Sequence, residues 1–471
     1  MMKHTMKRVL ALLLALLLLF AVGCTPGTLP PAGGEEGGDV EPPSEEEPPT
    51  EEEPPVQTES LTLSCPLYSY VGGRISVSAA WEGHDLSSME FSVSDTSFCS
   101  TITPSGTTCS LRFKKAGELT VTARCGEEEA SCTVYVFPEK STYAATDTLI
   151  TYLGRTAEQD GVRELRNTAC GFEVSFYGKA LTAEFSVTAA TAISVLLDGE
   201  EDPEADKRVI TAGGPCVIAE FNTVGLHTVR VHKVSEESLS VLTLASLSVE
   251  KGGLVEGEKV DRLKIEVYGD SITCGYGNMR PKPEGDALMA DTQNGLNTYA
   301  TIVATRLGAD CSVFARSGIG LYTNPHGLAY HMTDVYNRIS PMSPATALWD
   351  MQANAPDIVI LNLGTNDAGA NATNSPQAYN ANDFKQACIA FVKTLYEAYG
   401  NEDIIFVLCT GMMVKNVTAP TSEAAAVLQS EGINAHALDL PIRSHSSGHP
   451  LYNQHMACAD VLYEKLLELL T

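Results

Sequence analysis

The sequence predicts a multidomain chain in which two all-β domains precede an α/β domain with a parallel sheet. Three observations carry this reading. Between residues 61 and 255, apolar and polar residues alternate with the period of strands, and turn residues break the runs about every 8–12 residues. After Lys259, short apolar runs alternate with longer helical patterns, the order of a parallel sheet covered on both faces. The chain has 471 residues, two to three times an ordinary domain, so several folded units are expected.

The N-terminus reads as an export signal. Lys3, Lys7 and Arg8 precede an apolar run from Val9 to Val22 that ends in Ala21-Val22-Gly23-Cys24. A basic start, a short apolar run and small residues before a cut describe a signal peptide over residues 1–23. The run of about 14 residues is short for the ~30 Å of hydrocarbon in a bilayer. The residues before Cys24 resemble a bacterial lipobox, which implies a lipid on Cys24, membrane attachment through that lipid, and an extracellular, membrane-anchored lipoprotein of a bacterium. Residues 24–60 follow as an acidic Pro/Glu-rich linker that cannot bury enough apolar surface to offset its chain entropy. Eleven acidic residues fall between Glu35 and Glu59, with no Lys or Arg among them. Prolines and mutually repelling glutamates make it an extended spacer. The formal charge is −28, from 31 basic and 59 acidic residues, and it excludes a nucleic-acid partner held through phosphates.

Residues 61–138 alternate in Leu61–Cys65, Ile75–Ser78, Met89–Val93, Leu111–Phe113 and Leu119–Ala123, which suggests a small sandwich. The run from Lys115 to Ala123 resembles bacterial immunoglobulin-like domains. Residues 140–255 again read as strands: Phe172–Phe176, Leu181–Val187, Ile193–Leu197, Cys216–Phe221, His227–His232 and Leu239–Val249. Asp198-Gly199 and Val224-Gly225 punctuate them as turns, and so many strands in so short a stretch fit a jelly roll or sandwich. In residues 260–471 the expected elements begin with a strand at Leu263–Tyr268, a helix from Asn297 and strands at Cys311–Ala315 and Asp357–Leu363. A helix at Asp383–Tyr399, strands at Asp403–Leu408 and Ile433–Leu440, and a helix at Pro450–Leu470 complete the set. Ligands bind such sheets at the carboxyl ends of the strands.

Three strand ends there carry distinctive residues. Gly269-Asp270-Ser271-Ile272 follows the first strand, so a serine hydroxyl meets the cleft with its own N–H near a helix start. Ser317-Gly318-Ile319-Gly320 follows the second, where glycine lets backbone N–H approach a ligand without a Cβ in the way. Gly364-Thr365-Asn366-Asp367 follows the third and offers an amide donor. Finally, Gly448-His449-Pro450 sets a histidine at the mouth of the last helix, with Pro450 at its N1 position. Acyl transfer needs these parts. A serine nucleophile, Ser271, needs a base, His449, to take its proton. The tetrahedral oxyanion needs preorganised donors, here the N–H groups of Ser271 and Gly318 and the amide of Asn366.

The blocks and their order resemble the SGNH (GDSL-type) hydrolases, and no Gly-x-Ser-x-Gly elbow occurs in the chain. Gly269-Asp-Ser-Ile-Thr-Cys-Gly-Tyr-Gly-Asn278, preceded by an all-β stretch of about 110 residues, looks like carbohydrate esterase family 2, the acetyl xylan esterase-like group. The resemblance covers residues 145 to 471 and implies a flavodoxin-like catalytic domain beside a jelly roll. It further implies removal of acetyl groups from acetylated polysaccharides or oligosaccharides such as xylan and glucomannan, without metal or cofactor. One departure stands out: many SGNH enzymes place Asp three residues before the histidine, where this chain has Ser446. Family 2 enzymes can orient the histidine by a main-chain carbonyl, so a carbonyl in the Ser446–Gly448 turn is expected. Asp439, at the end of the Ile433–Leu440 strand, is the alternative orienting acid.

Other residues carry less. His326, His331, His436, His445 and His455 lack metal-binding spacing and read as surface or core polar residues. Cys274, Cys311, Cys388, Cys409 and Cys458 fall one per element, as small buried hydrophobes do. Cys125 and Cys132 either bridge a hairpin, with Ala123 opposite Val134 and Val121 opposite Val136, or stay as thiols. Trp349 and Tyr276 are candidate sugar-stacking residues. The expected function is a surface carbohydrate esterase. Its rivals are a lipase or thioesterase of the same fold and a carbohydrate-binding surface protein whose hydrolase is idle.

Overall fold

The computed structural model describes residues 60–280, 289–325, 327–441 and 448–471. The signal, Cys24, the linker up to residue 59, His326, His445 and Ser446 lie outside the described residues.

The first β-domain packs two four-stranded sheets face to face. One runs Thr62–Ser64, Arg74–Ala80, Thr108–Phe113, Cys99–Ser105; the other runs Tyr68–Tyr70, Glu128–Phe137, Gly117–Cys125, Glu90–Val93. Arg74–Ala80 alternates exposed and buried along its whole length, so Ile75, Val77 and Ala79 face inward. Val77, Leu111, Phe113, Leu119, Val121, Val134 and Val136 form the core between the sheets. The hairpin register differs from the one a Cys125–Cys132 bridge needs. Cys125 pairs with Glu128, Ala123 with Ala130 and Val121 with Cys132. The connection is a two-residue Gly126-Glu127 turn, with Gly126 at φ +66°, and such a tight turn fixes the register. Cys132 therefore sits four residues along the ladder from Cys125, about 13 Å away, beyond the ~7 Å Cα limit of a disulfide. Cys132 instead lies beside Cys65.

The second β-domain is one ten-stranded sheet that wraps around its own core. Its two long strands, Gly171–Val187 and Gly214–Lys233, each span what the sequence divides into two. Val224-Gly225 is therefore not a turn: both lie within one strand, where Gly225 pairs with Gly178 and the ladder resumes at Glu220 opposite Ala180. Register shifts between Gly178 and Ala180 and between Leu181 and Thr182 bend the strands instead, as bulges do. Asp198, at φ +49°, does make the turn expected of it.

The α/β domain holds five parallel strands: β1 (Lys264–Gly269), β2 (Asp310–Ala315), β3 (Ile358–Asn362), β4 (Ile405–Gly411) and β5 (Ala435–Leu440). Their order in the sheet is β2-β1-β3-β4-β5, with β1 and β3 neighbours at the centre. Seven helices among the described residues serve it: α1 (Ser271–Cys274), α2 (Tyr299–Arg306), α3 (Met332–Val335), α4 (Thr365–Gly369), α5 (Ala381–Tyr399), α6 (Thr418–Ser430) and α7 (Tyr452–Leu470). Val303 of α2 and Leu462 and Leu466 of α7 cover one face of the sheet. Phe384 and Leu395 of α5 and Leu428 of α6 cover the other. Helix α6 is absent from the sequence reading. It opens Thr-Ala-Pro-Thr-Ser, residues that usually signal a loop, and buries mostly small side chains, Ala424 and Ala425. Pro420 is tolerated because the first helical turn needs no N–H partner.

The second β-domain and the α/β domain share a buried ion pair. Arg155 is fully buried, and its Nε donates to Glu266 Oε1 on β1 at 2.7 Å. Its other nitrogens donate to the carbonyls of Tyr336 and Arg338 and to the Tyr268 hydroxyl, each at 2.6 Å. Every donor of this charge that points inward is met, which is the condition for burying it.

Candidate active site

The site lies at the carboxyl edge of the sheet. β1 ends at Gly269, where a Cβ would stand 2.0 Å from Thr273 Oγ1, so only glycine allows this turn into α1. Asp270 caps α1, its carboxylate accepting the Ile272 N–H at 3.0 Å. Ser271 is thereby fixed as the first residue of α1, and the helix closes one turn later at Gly275, φ +76°.

Ser271 Oγ and His449 Nε2 are 2.7 Å apart, although 178 residues separate them in sequence. Both are largely buried. Tyr276 stacks on the imidazole with ring centroids 4.4 Å apart and planes 28° from parallel. Burial first, then the nearby Arg280 guanidinium, lowers the His449 pKa to about 4. The imidazole is therefore neutral at neutral pH, with a lone pair available to accept a proton. Pro450 precedes the N-cap Leu451 of α7, so it lies outside the helix rather than at N1.

The other candidate donors follow the neighbouring strands β2 and β3. Gly318 has φ +85°, in the left-handed region that glycine adopts without strain. Neither its N–H nor that of Ser271 is engaged by another described residue. Asn366, in α4, donates from Nδ2 to the Ile319 carbonyl at 2.8 Å and, at a long 3.3 Å, to Asp270. Asp270 is pushed up to about 7, by burial first and also by the neighbouring Asp367, so at neutral pH it is ionised only in part. Asp367 in turn accepts N–H groups from Leu321, Tyr322 and Thr323 at 2.8–3.1 Å, which pins the loop downstream of Gly318.

Two residues weighed from the sequence lie elsewhere. Asp439 is exposed, and its carboxylate accepts the Thr410 and Thr418 hydroxyls at 3.1 and 3.2 Å. Among the described residues none hydrogen-bonds His449 Nδ1. Trp349 lines a groove of about 750 Å³ together with Lys264, Asp310 and Pro356, at the amino-terminal edge of the sheet. That edge is opposite Ser271, so Trp349 is not placed to stack a sugar over the serine. His455 is a buried core residue whose Nδ1 accepts the Tyr299 N–H at 3.2 Å. The roles of Asp270, Asp367 and Arg280 escaped the sequence reading. The two aspartates adjoin Ser271 and Asn366 within the same blocks, the one signal that could have found them.

Residues 267–460 match the GDSL-like lipase/acylhydrolase family, which gives the class to which this fold and site correspond. Residues 152–256 match the carbohydrate esterase 2 N-terminal family. The chain thus joins a carbohydrate esterase 2 N-terminal domain to a GDSL-like hydrolase domain. It is 31% identical to the cellulase/esterase CelE of Acetivibrio thermocellus over 41% of this chain and 24% of that protein. It is 24% identical to an acetylxylan esterase / glucomannan deacetylase of Cellvibrio japonicus over 48% of this chain and 62% of that protein. The chain thus spans less than two thirds of either of these relatives. A family two carbohydrate esterase structure from Cellvibrio japonicus superposes with a TM-score of 0.63 at 23% identity, over 70% of this chain and 98% of that one, a likeness of fold.

Proposed function

We propose that the chain is a serine esterase that removes O-acetyl groups from plant-type polysaccharides such as xylan and glucomannan. The observation that carries this reading is the 2.7 Å contact between Ser271 Oγ and His449 Nε2, with the N–H groups of Ser271 and Gly318 unengaged among the described residues. Ser271 Oγ attacks the acetyl carbonyl carbon while His449 Nε2 takes the hydroxyl proton. The oxyanion accepts from the Ser271 and Gly318 N–H groups and from the Asn366 hydrogen now held loosely by Asp270. Collapse breaks the bond to the sugar oxygen, which leaves with the proton from His449. Water then attacks the acetyl-serine, gives a proton to His449, and acetic acid departs as that proton returns to Ser271 Oγ, losing its own proton to solvent as acetate. A main-chain carbonyl in the turn before His449 is our assignment for the group that orients its Nδ1–H, since Asp439 is engaged by threonines. The first β-domain is assigned as an immunoglobulin-like spacer and the second as a jelly roll. A lipid on Cys24 would hold all of them, on their acidic linker, at the outer face of a bacterial membrane.

Purified protein should release acetate from acetylated xylan, mannan or pectin, and Ser271→Ala and His449→Ala should each remove nearly all turnover. The double variant should be scarcely worse, because residues acting as one unit are strongly non-additive. Substantial turnover in Ser271→Ala would refute the nucleophile. Fractionation of a Cys24→Ser variant with the membranes would refute the anchor.

A further inference from the structure

Glu236 belongs to the second β-domain, three residues past the end of the Gly214–Lys233 strand, yet its side chain is only 1% exposed and lies in the α/β domain's interior edge. Its carboxylate accepts twice from a single residue of the loop after β2: Ser317 Oγ–H at 2.8 Å and Ser317 N–H at 3.3 Å. Ser317 immediately precedes Gly318. The same residue also reaches α1. The Glu236 N–H donates to Gln293 Oε1 at 3.0 Å, and Gln293 Nε2 donates to the Cys274 carbonyl, the last of α1, at 2.8 Å. The Cys274 thiol lies against the Glu236 carboxylate as well. Lys233 and Arg316 supply positive charge nearby.

One buried residue from the neighbouring domain therefore ties together the helix that carries the Ser271 N–H and the loop that carries the Gly318 N–H. Downstream, the loop is already pinned by Asp367 at Leu321–Thr323 and by Asn324, whose Oδ1 accepts the Gly320 N–H. Upstream, the Ser317 side chain is held by Glu236 alone among the described residues. We propose that Glu236 is a positioning residue for the esterase reaction, setting the spacing of the two backbone oxyanion donors through Ser317 and Gln293. The role of the second β-domain then extends to the chemistry itself. This inference rests on the assignment of Ser271 and Gly318 above.

The test uses the full chain with Ser317→Ala, Glu236→Gln and the double variant, and 4-nitrophenyl acetate as substrate. Turnover is expressed per active site titrated with a fluorophosphonate, and the rate of that labelling of Ser271 is recorded too. Removing an oxyanion donor outright costs 10²–10³ in kcat, so displacing one should cost about tenfold. Each single variant should lose about tenfold in kcat and in labelling rate, with KM within about twofold, and the double variant should match the worse single. A merely structural role would instead lower the fraction of titratable sites and leave kcat per site unchanged. That outcome, wild-type kcat in folded Ser317→Ala, or additive losses would each overturn the proposal. Ser271→Ala serves as the control: if it stays active, the assignment of the site fails, whereas an inactive Ser271→Ala beside a normal Ser317→Ala sinks only the role of Glu236.

Discussion

His449 behaves as a base because of what surrounds it. A free imidazole is half protonated near pH 6.5, and a protonated base cannot accept the serine proton. Burial under Tyr276 and the charge of Arg280 favour the neutral form, so the pKa falls to about 4. The acid limb of kcat/KM reports this group in the free enzyme, and it should therefore lie near pH 4 rather than 6.5. Both causes depress the pKa, so removing either moves the limb to higher pH. Burial is the larger cause, so Tyr276→Ala should move it further than Arg280→Gln. A pH–rate series on the two variants checks the order, and an acid limb that stays put in Tyr276→Ala would contradict the account.

At the scale of elements, the loop from Arg316 to Asn324 decides whether the donors line up. Gly320 has no room for a side chain: a Cβ there would stand 1.9 Å from the Thr323 carbonyl oxygen. Gly320→Ala should therefore shift the loop and with it Gly318, with a loss of about tenfold or more in kcat and unchanged far-ultraviolet circular dichroism. Full turnover in that variant would show that the loop tolerates displacement. The strand-end blocks of this domain are legible in sequence because local rules write them: a strand period, a glycine at the turn, a polar residue at the helix start. What local rules do not write was harder to read. The merging of Phe172–Phe176 with Leu181–Val187 into one bent strand depends on a partner strand far along the chain. The Cys125–Cys132 register turns on a two-residue turn that the symmetrical spacing of the cysteines disguised. Glu236 and Ser317 are 81 residues apart and in different domains, so no window along the sequence joins them.

For the whole molecule, the Arg155–Glu266 pair is a buried link between the second β-domain and the α/β domain. Removing one partner of a buried ion pair costs about 3–5 kcal/mol, because the other charge is left without compensation. Arg155→Met strands Glu266, which is 2% exposed, and leaves the carbonyls of Tyr336 and Arg338 without their donor. Wild-type protein should melt these two domains in a single calorimetric transition, and Arg155→Met should lower that transition or split it. A double variant, Arg155→Met with Glu266→Gln, should recover part of the loss, since it removes the stranded charge. An unchanged melting profile in Arg155→Met would mean that the domains are held together by other contacts.

The chain has only two tryptophans, and the fold sends them to different places. Trp81 lies in the first β-domain, its ring stacked on His84 at 3.8 Å. Trp349 lies beside the seam, with the Arg155 guanidinium 5.9 Å from its ring. The protein thus carries its own pair of optical labels, one on the outlying module and one on the joint. With Trp81 replaced by Phe, all remaining indole emission would come from the joint. Its wavelength and quenching would follow the seam as it opens, with no dye attached and no residue of the serine–histidine site disturbed.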